Sequence, residues 1–486
     1  MKEDLKQIDP KKAAGPNLAT DLLQGPLPPE ELMGMFDRTK KDEVKQTLRN
    51  CVLVFRHDKV LYQKIRYNSL TRRVDLVGEV PWIRTTSGQT FTNSDLRAVH
   101  LFMEEKYGLR FQGQIDEALS IVADENQYHP VRDYLNGLPP WDGKERIRYA
   151  LHHFLGADAD DYTWEVFRLF LLGAVSRVFR PGIKFDYMLC LVGAQGAGKS
   201  TFLRYLAVND DWFCDDLKNL ESDKVYEKMM GHWIIEMSEM MAAINAKTNE
   251  AIKSFLSRQK ETFRTPYDRL PEDRPRQCVF VGTTNRDFFL PNDRTGNRRF
   301  LPIRCHEEKA EVFILDDEAE ARAYVDGLWA EVMDIYWKGS FTLKLSKTMQ
   351  EQVRIRQQAF LPEDVDAGMI LSFMTETTEK KVCSRMLFKE ALDNPYTQPA
   401  RWQTNEICEI VNQLIRSGAL PGWRIFDSPK RFGNGYGTQK GWEKILENVK
   451  QSVNGAVSTD GDFQNPPLEE KTPFDGETEN DTPLTG

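Results

Sequence analysis

The sequence predicts an α/β core preceded by a small α+β module and followed by a helical, winged-helix-like module. Three observations predict this. From Tyr187 onward, apolar runs of strand length (YMLCLV at 187–192, GHWII at 231–235, CVFVGTTN at 278–285) alternate with helix-compatible stretches, the pattern of a layered sheet. Ahead of them, short alternating segments mix with helical ones. After about Ser346 strands become scarce, and a helical pattern leads into a glycine-rich bend.

Composition bounds the class. With 40% apolar and 29% charged residues, the chain is ordinary soluble protein, long enough at 486 residues for several domains. The longest apolar runs, Phe167 to Val178 and Tyr187 to Val192, are too short to cross a bilayer, which takes about 20 residues. The amino terminus, MKEDLKQIDPKK, has no apolar stretch of a secretory signal, so the expected location is a cytoplasm and no membrane partner is expected. Seven scattered cysteines include no CxxC pair and predict small core residues rather than a zinc ribbon or a disulfide framework.

The net charge of −9 is unevenly spread. Asn454 to Gly486 hold eight acids against the single Lys471, which leaves −2 for the rest. Between Lys253 and Arg304, twelve Lys/Arg face six Asp/Glu, a local +6 suited to a polyanion.

In chain order, residues 1–45 are rich in Pro, Gly, Lys and Asp and predict a loosely ordered lead. Residues 46–125 form the α+β module. CVLVF (51–55) and KIRYNSLTRRVDLVG (64–78) read as strands, and Asn93, Ser94 or Asp95 caps a helix that stops at Gly108. A further helix fits IDEALSIVADEN. Residues 126–345 form the central domain, with a helical lead-in from Ile147 to Val178, a Pro181-Gly182 stop and a core at 186–305. Residues 346–449 form the carboxy-terminal module, and 450–486 an acidic tail expected to be disordered.

The most specific signal is GAQGAGKST, where Gly193, Ala194, Gln195, Gly196, Ala197, Gly198, Lys199, Ser200 and Thr201 join a β-like run to a helix. Its glycines let backbone N–H groups converge on phosphate oxygens, Lys199 bridges β- and γ-phosphates, Ser200 ligates Mg²⁺ and the helix start adds a positive dipole end. ATP and Mg²⁺ are therefore the expected ligands. The strand at 231–235 ends in Glu236, with Glu239 three residues on. One acid there holds the metal or its water shell, and its neighbour orients the attacking water. We assign these roles to Glu236 and Glu239 in that order, although two surface acids after a buried strand would look the same.

CVFVGTTN ends in Asn285, which would lie near the γ-phosphate if its strand ran parallel beside the loop strand. Arg298 and Arg299 follow in DRTGNRRFLPI, placed to act in phosphoryl transfer from a neighbouring subunit.

These pieces, in this order, resemble the virulence-associated protein E family, close to the superfamily 3 helicases. The resemblance runs from about residue 65 to about 445 through YNSLTRRVDLVGEVPW, NQYHPVRDYLNGLPPWDGKERI, RVFRPGIKFDYML, WIIEMSEM, IKSFLSRQKETFRTPYDR, FVGTTN and TGNRRFLPI. It implies an AAA+-like P-loop ATPase that works as a ring, a homo-hexamer, on single-stranded DNA in replication of a phage or mobile element. Gly193 to Ser200 then match the Walker A loop, Glu236 the Walker B acid, Asn285 the sensor, and Arg298/Arg299 the arginine finger. The family also implies a pore hairpin in ETFRTPYDRLPEDRPRQ (261–277), with Arg269 near its tip and Lys260 and Arg264 in support. The E-x-x-E spacing departs from the adjacent acids of many related ATPases and leaves the division between Glu236 and Glu239 open.

Many relatives carry a primase domain, but residues 1–125 show no clustered carboxylates or zinc spacing, so no primase activity is expected. The carboxy-terminal module looks like a winged helix with a wing around Arg431 and Tyr436, able to dock origin duplex DNA through Lys430, Arg431 and Lys440 or to pack as structure alone. Two functions remain. One is an ATP-driven DNA helicase or translocase. The other is an ATP-switched origin-binding protein that recruits host replication proteins without unwinding.

Overall fold

The structure, a computed structural model, describes residues 25–445 apart from 85, 87, 218–219, 221–224, 239–245, 264–271 and 292–296. The expectations for the first 24 residues and for the acidic tail lie outside these residues. The chain divides after Pro362 into two compact units. Helix Lys347–Gln358 falls in the first of them, where it packs on the central sheet.

Residues 25–45 contain a short helix, Pro29–Gly34, whose Leu32 is fully buried together with nearby Phe36. CVLVF is not a strand. It lies inside helix Leu48–His57, capped by Thr47, whose side chain accepts from Asn50 N. Asn50, Leu53, Val54 and His57 are all buried, the i, i+3, i+4, i+7 stripe of a helix with one face inward. KIRYNSLTRRVDLVG does form strands, β1 (Ile65–Asn68) and β2 (Arg73–Leu76), paired antiparallel.

Helix Asn93–Tyr107 is capped one residue earlier than expected. Thr92 accepts from Asp95 N while the Asp95 carboxylate accepts from Thr92 N, a reciprocal box that contributes about 1 kcal/mol. Helix Gln112–Glu125 packs against Leu48–His57 to close this part of the core.

The helical lead-in is two helices, Arg146–Leu155 and Asp161–Phe179, broken at Gly156 in a left-handed conformation (φ 62°). A five-stranded parallel sheet follows, made of β3 (Met188–Val192), β4 (Phe213–Cys214), β5 (Ile234–Glu236), β8 (Val279–Thr284) and β9 (Phe300–Arg304) in the order β4-β5-β8-β3-β9. Between β5 and β8 the chain forms helix Ala246–Ser257 and an antiparallel hairpin of β6 (Lys260–Phe263) and β7 (Glu272–Pro275).

The strands are mainly apolar because both faces of the sheet are covered, with polar residues such as Glu236, Thr283, Thr284 and Arg304 gathered at their carboxyl ends. Leu189, Leu191, Ile234, Val281 and Ile303 enter a core with helices Arg146–Leu155, Asp161–Phe179, Lys199–Leu206 and Glu318–Lys338. Their neighbours Met188, Cys190, Val192, Ile235 and Phe280 enter a second core with Ile252 and Phe255 of helix Ala246–Ser257. Each such side chain contributes roughly 1.5–3 kcal/mol on burial.

The second unit has helix Val365–Glu376, strand β10 (Lys381–Cys383), a short helical stretch at 384–391 and helix Arg401–Arg416. Strands β11 (Trp423–Ile425), β12 (Lys430–Phe432), β13 (Gly437–Gln439) and β14 (Gly441–Lys444) complete it. β14 pairs with β10 and β11, and β12 with β13 forms a separate hairpin. On that hairpin Arg431 and nearby Lys440 are exposed, Lys430 pairs with Glu443, and Tyr436 is buried with its hydroxyl donating to Glu390.

Candidate functional site at the carboxyl edge of the sheet

β3 ends at Val192 and the chain turns through residues 193–198 into helix Lys199–Leu206. Two glycines in this turn are required by its shape. Gly198 caps the helix in the left-handed region (φ 77°), and a Cβ on Gly193 would stand 2.7 Å from the Cys305 carbonyl oxygen. Gly193 N donates to Thr284 O at 3.1 Å, which ties the start of the turn to the end of β8. Ala194, Gln195 and Gly196 are exposed, Ala197 is buried and Thr201 is half-buried.

Lys199 folds back over the turn. Its Nζ donates to Gly193 O at 2.9 Å and Ala194 O at 2.6 Å, and the residue is nine-tenths buried. Burial holds its ammonium below the ordinary lysine pKa, a shift opposed by the nearby Cys305, Glu236 and Glu307. A cation kept in this way, on carbonyls that other oxygens can replace, suits a phosphate oxyanion.

Glu236, the last residue of β5, is 1% exposed. Its Oε1 accepts from the Ser200 hydroxyl at 2.7 Å and from the Thr283 hydroxyl. Its Oε2 is buried with no hydrogen-bond partner among the described residues. A buried carboxylate oxygen without a donor is costly unless a cation or its water meets it. Ser200 and Glu236 together offer hard oxygen donors at the helix end of the turn, which fits Mg²⁺.

Asn285 follows Thr284 directly and is exposed beside the start of the turn, its strand running parallel next to β3. Glu239, Arg264 and Arg269 lie outside the described residues. Lys260, on β6, is exposed and ion-paired to Asp273 of β7. Of the hairpin expected in 261–277, Glu272 to Arg274 lie in strand β7.

Arg298 and Arg299 occupy a single 3₁₀ turn, Asn297–Arg299, at the start of β9. Phe300 is level with Met188, and Arg304 with Val192. The two arginines thus stand at the amino edge of the sheet, about 15 Å of strand away from the glycine turn. Within one chain the glycine turn and these arginines are on opposite edges. Arg299 is held by Asp186, Nε to Oδ2 at 3.4 Å, and is partly buried; Arg298 is exposed.

Two features escape reading from sequence. One is Thr283, whose contact with Glu236 depends on the β5–β8 register, Glu236 opposite Val281 and therefore on the same face as Thr283 two residues on. The other is the strap 305–314, which packs over the turn: Cys305 against Gly193, Ile314 against Gly198, and His306 N donating to Leu155 O at 2.9 Å. The buried pair Thr283-Thr284 at the end of an otherwise apolar strand is the signal the sequence offered for the first.

No curated protein matches the chain. Among solved structures, the A-form apo structure of the NrS-1 C-terminal region is 9% identical, with 79% of this chain and 96% of that chain covered and a TM-score of 0.42. A second A-form structure of the same region is 11% identical at the same coverage, with a TM-score of 0.41. The virulence-associated protein E-like domain matches residues 135–362, a span that ends where the first compact unit ends. Those residues, which carry the glycine turn, Glu236 and the Arg298/Arg299 turn, are similar to the virulence-associated protein E-like domain family.

Proposed function

We propose that this chain is an ATP-driven DNA helicase or translocase of phage or mobile-element replication, acting as a homo-hexameric ring on single-stranded DNA around an AAA+-like P-loop core. The observation that carries this reading is Glu236, joined to Ser200 through one carboxylate oxygen and keeping the other buried without a donor among the described residues. A metal–phosphate site accounts for both oxygens; a structural carboxylate accounts for only one.

In this reading Lys199 exchanges its two loop carbonyls for β- and γ-phosphate oxygens. Ser200 and Glu236 hold Mg²⁺ or its water shell, and the metal supplies charge neutralisation across the phosphates. Asn285 positions the attacking water, with Glu239 as the neighbouring acid. Arg298 and Arg299, at the far edge of their own sheet, serve the turn of an adjacent subunit, which is the reason a ring is required. Lys260, on β6, contacts the single strand, with Arg264 and Arg269, outside the described residues, as its expected partners in this role. The second unit, read as a winged helix, docks duplex DNA through the exposed Arg431 and Lys440 on and beside the β12–β13 hairpin.

ATP hydrolysis measured with and without single-stranded DNA, alongside the particle mass with nucleotide bound, tests the motor. Stimulated turnover by a six-subunit particle is expected; a monomer whose turnover ignores DNA sinks the reading. Strand displacement on a forked DNA separates it from an ATP-switched origin-binding protein that recruits host replication proteins, since that protein would bind the fork and leave it paired.

A further inference from the structure

We propose that Thr283 is a positioning residue for hydrolysis: its hydroxyl fixes Oε1 of Glu236 and so reserves Oε2 for the metal's water shell. The inference rests on the ATPase reading above. Thr283 is buried on β8, a strand that is otherwise apolar or glycine apart from the neighbouring Thr284, and its hydroxyl donates to Glu236. The strand itself does not require that hydroxyl, because valine has the same branched shape and suits a strand equally well.

The second donor to the same oxygen behaves differently. Ser200 sits on the turn, exposed, and its hydroxyl is the group expected to ligate Mg²⁺. When Ser200 turns to a metal, Glu236 loses that hydrogen bond and keeps Thr283. A carboxylate without Thr283 would be free to rotate about its last bond at the moment when its direction matters. Thr283 is also well placed to hold direction: β8 is paired to β5 on one side and to β3 on the other, and the next residue, Thr284, accepts from Gly193 N. One strand therefore fixes both the acid and the start of the phosphate turn.

Thr283→Val removes the donor and keeps the shape; Thr283→Ser keeps the donor. The test compares both with the wild-type chain by Mn²⁺ binding in the presence of ADP, followed by electron paramagnetic resonance, and by ATP turnover. Thr283→Val is expected to weaken Mn²⁺ binding about tenfold and to lower kcat about tenfold or more, with metal-free ADP affinity and melting temperature near wild type. Thr283→Ser should recover most of both. Wild-type Mn²⁺ affinity and kcat in Thr283→Val would overturn the inference while leaving the ATPase reading intact. A wild-type chain that neither binds Mn²⁺ with ADP nor hydrolyses ATP would overturn both. A loss of melting temperature in Thr283→Val that Thr283→Ser shares, with metal affinity unchanged, would make the residue structural and overturn the inference as well.

Discussion

The Ser200 hydroxyl meets Oε1 of Glu236 at 2.7 Å, across two elements separated by 36 positions in sequence. Helix Lys199–Leu206 and β5 each contribute one oxygen-bearing side chain to the same point at the carboxyl edge of the sheet. That meeting separates two classes of substitution. Lys199→Ala should abolish nucleotide binding, whereas Glu236→Gln should bind nucleotide and hydrolyse it at least 100-fold more slowly, since the amide keeps the shape and loses the charge. Equilibrium binding of a fluorescent ADP and steady-state turnover check the pair. A Glu236→Gln chain with normal turnover would remove Glu236 from the site.

Arg298 and Arg299 should part company on substitution. Arg299→Ala leaves the half-buried Asp186 without its cation and is expected to cost about 1–2 kcal/mol of stability, read as a lower melting temperature. Arg298→Ala should melt normally and lose turnover in the assembled particle. Mixing Arg298→Ala subunits with Lys199→Ala subunits should restore part of the activity, because some interfaces then join an intact turn to an intact arginine. No recovery at any ratio in rings shown to be mixed would count against action between subunits.

His129 should make the first unit acid-sensitive. Its Nδ1 accepts from Arg132 N, which caps helix Pro130–Gly137, and its Nε2 meets Gln277 Oε1 at 2.7 Å. Burial pushes its pKa down to about 4 from the usual 6.5. The unfolded chain therefore takes up a proton that the folded chain refuses, so this contribution is intact above about pH 6.5 and is lost as pH falls toward 4, by about 3 kcal/mol in all. Asparagine also caps helices and does not titrate, so His129→Asn should flatten the melting profile between those values. An unchanged slope would show that other groups set it.

Gly156→Ala should be severe. The residue has φ 62°, and an added Cβ would fall 1.9 Å from the backbone oxygen of His306. Left-handed strain and the forced shift of the strap together are expected to cost roughly 3 kcal/mol or more. Because the strap packs on the glycine turn, nucleotide affinity should fall with stability; thermal melting with and without ADP measures both. Alanine tolerated there would mean that the strap moves without cost.

The glycine turn, the strand before it, the helix after it and the acid at the end of β5 are legible because each depends on neighbours in sequence, whereas β9, beside β3 in the sheet, is not among the strands read from the sequence. CVLVF misleads because five consecutive apolar residues have no period of their own, and its valines favour a strand. Only the wider spacing, with polar Asn50 and His57 on the buried stripe, marks a helix, and those two residues are buried for their hydrogen bonds. Thr283 was out of reach for another reason: it lies 47 residues from Glu236, and their meeting depends on strand register.

Strand β8 connects more than its neighbours in the sheet. Gln277, just before it, donates to Ser69 O and accepts the His129 contact, while Thr284 at its far end holds Gly193 N. An extended chain paired on both sides cannot stretch or buckle cheaply, so it acts as a push-rod of about 20 Å. A displacement of the β1–β2 loop along that axis would reach the glycine turn with little of its amplitude absorbed on the way.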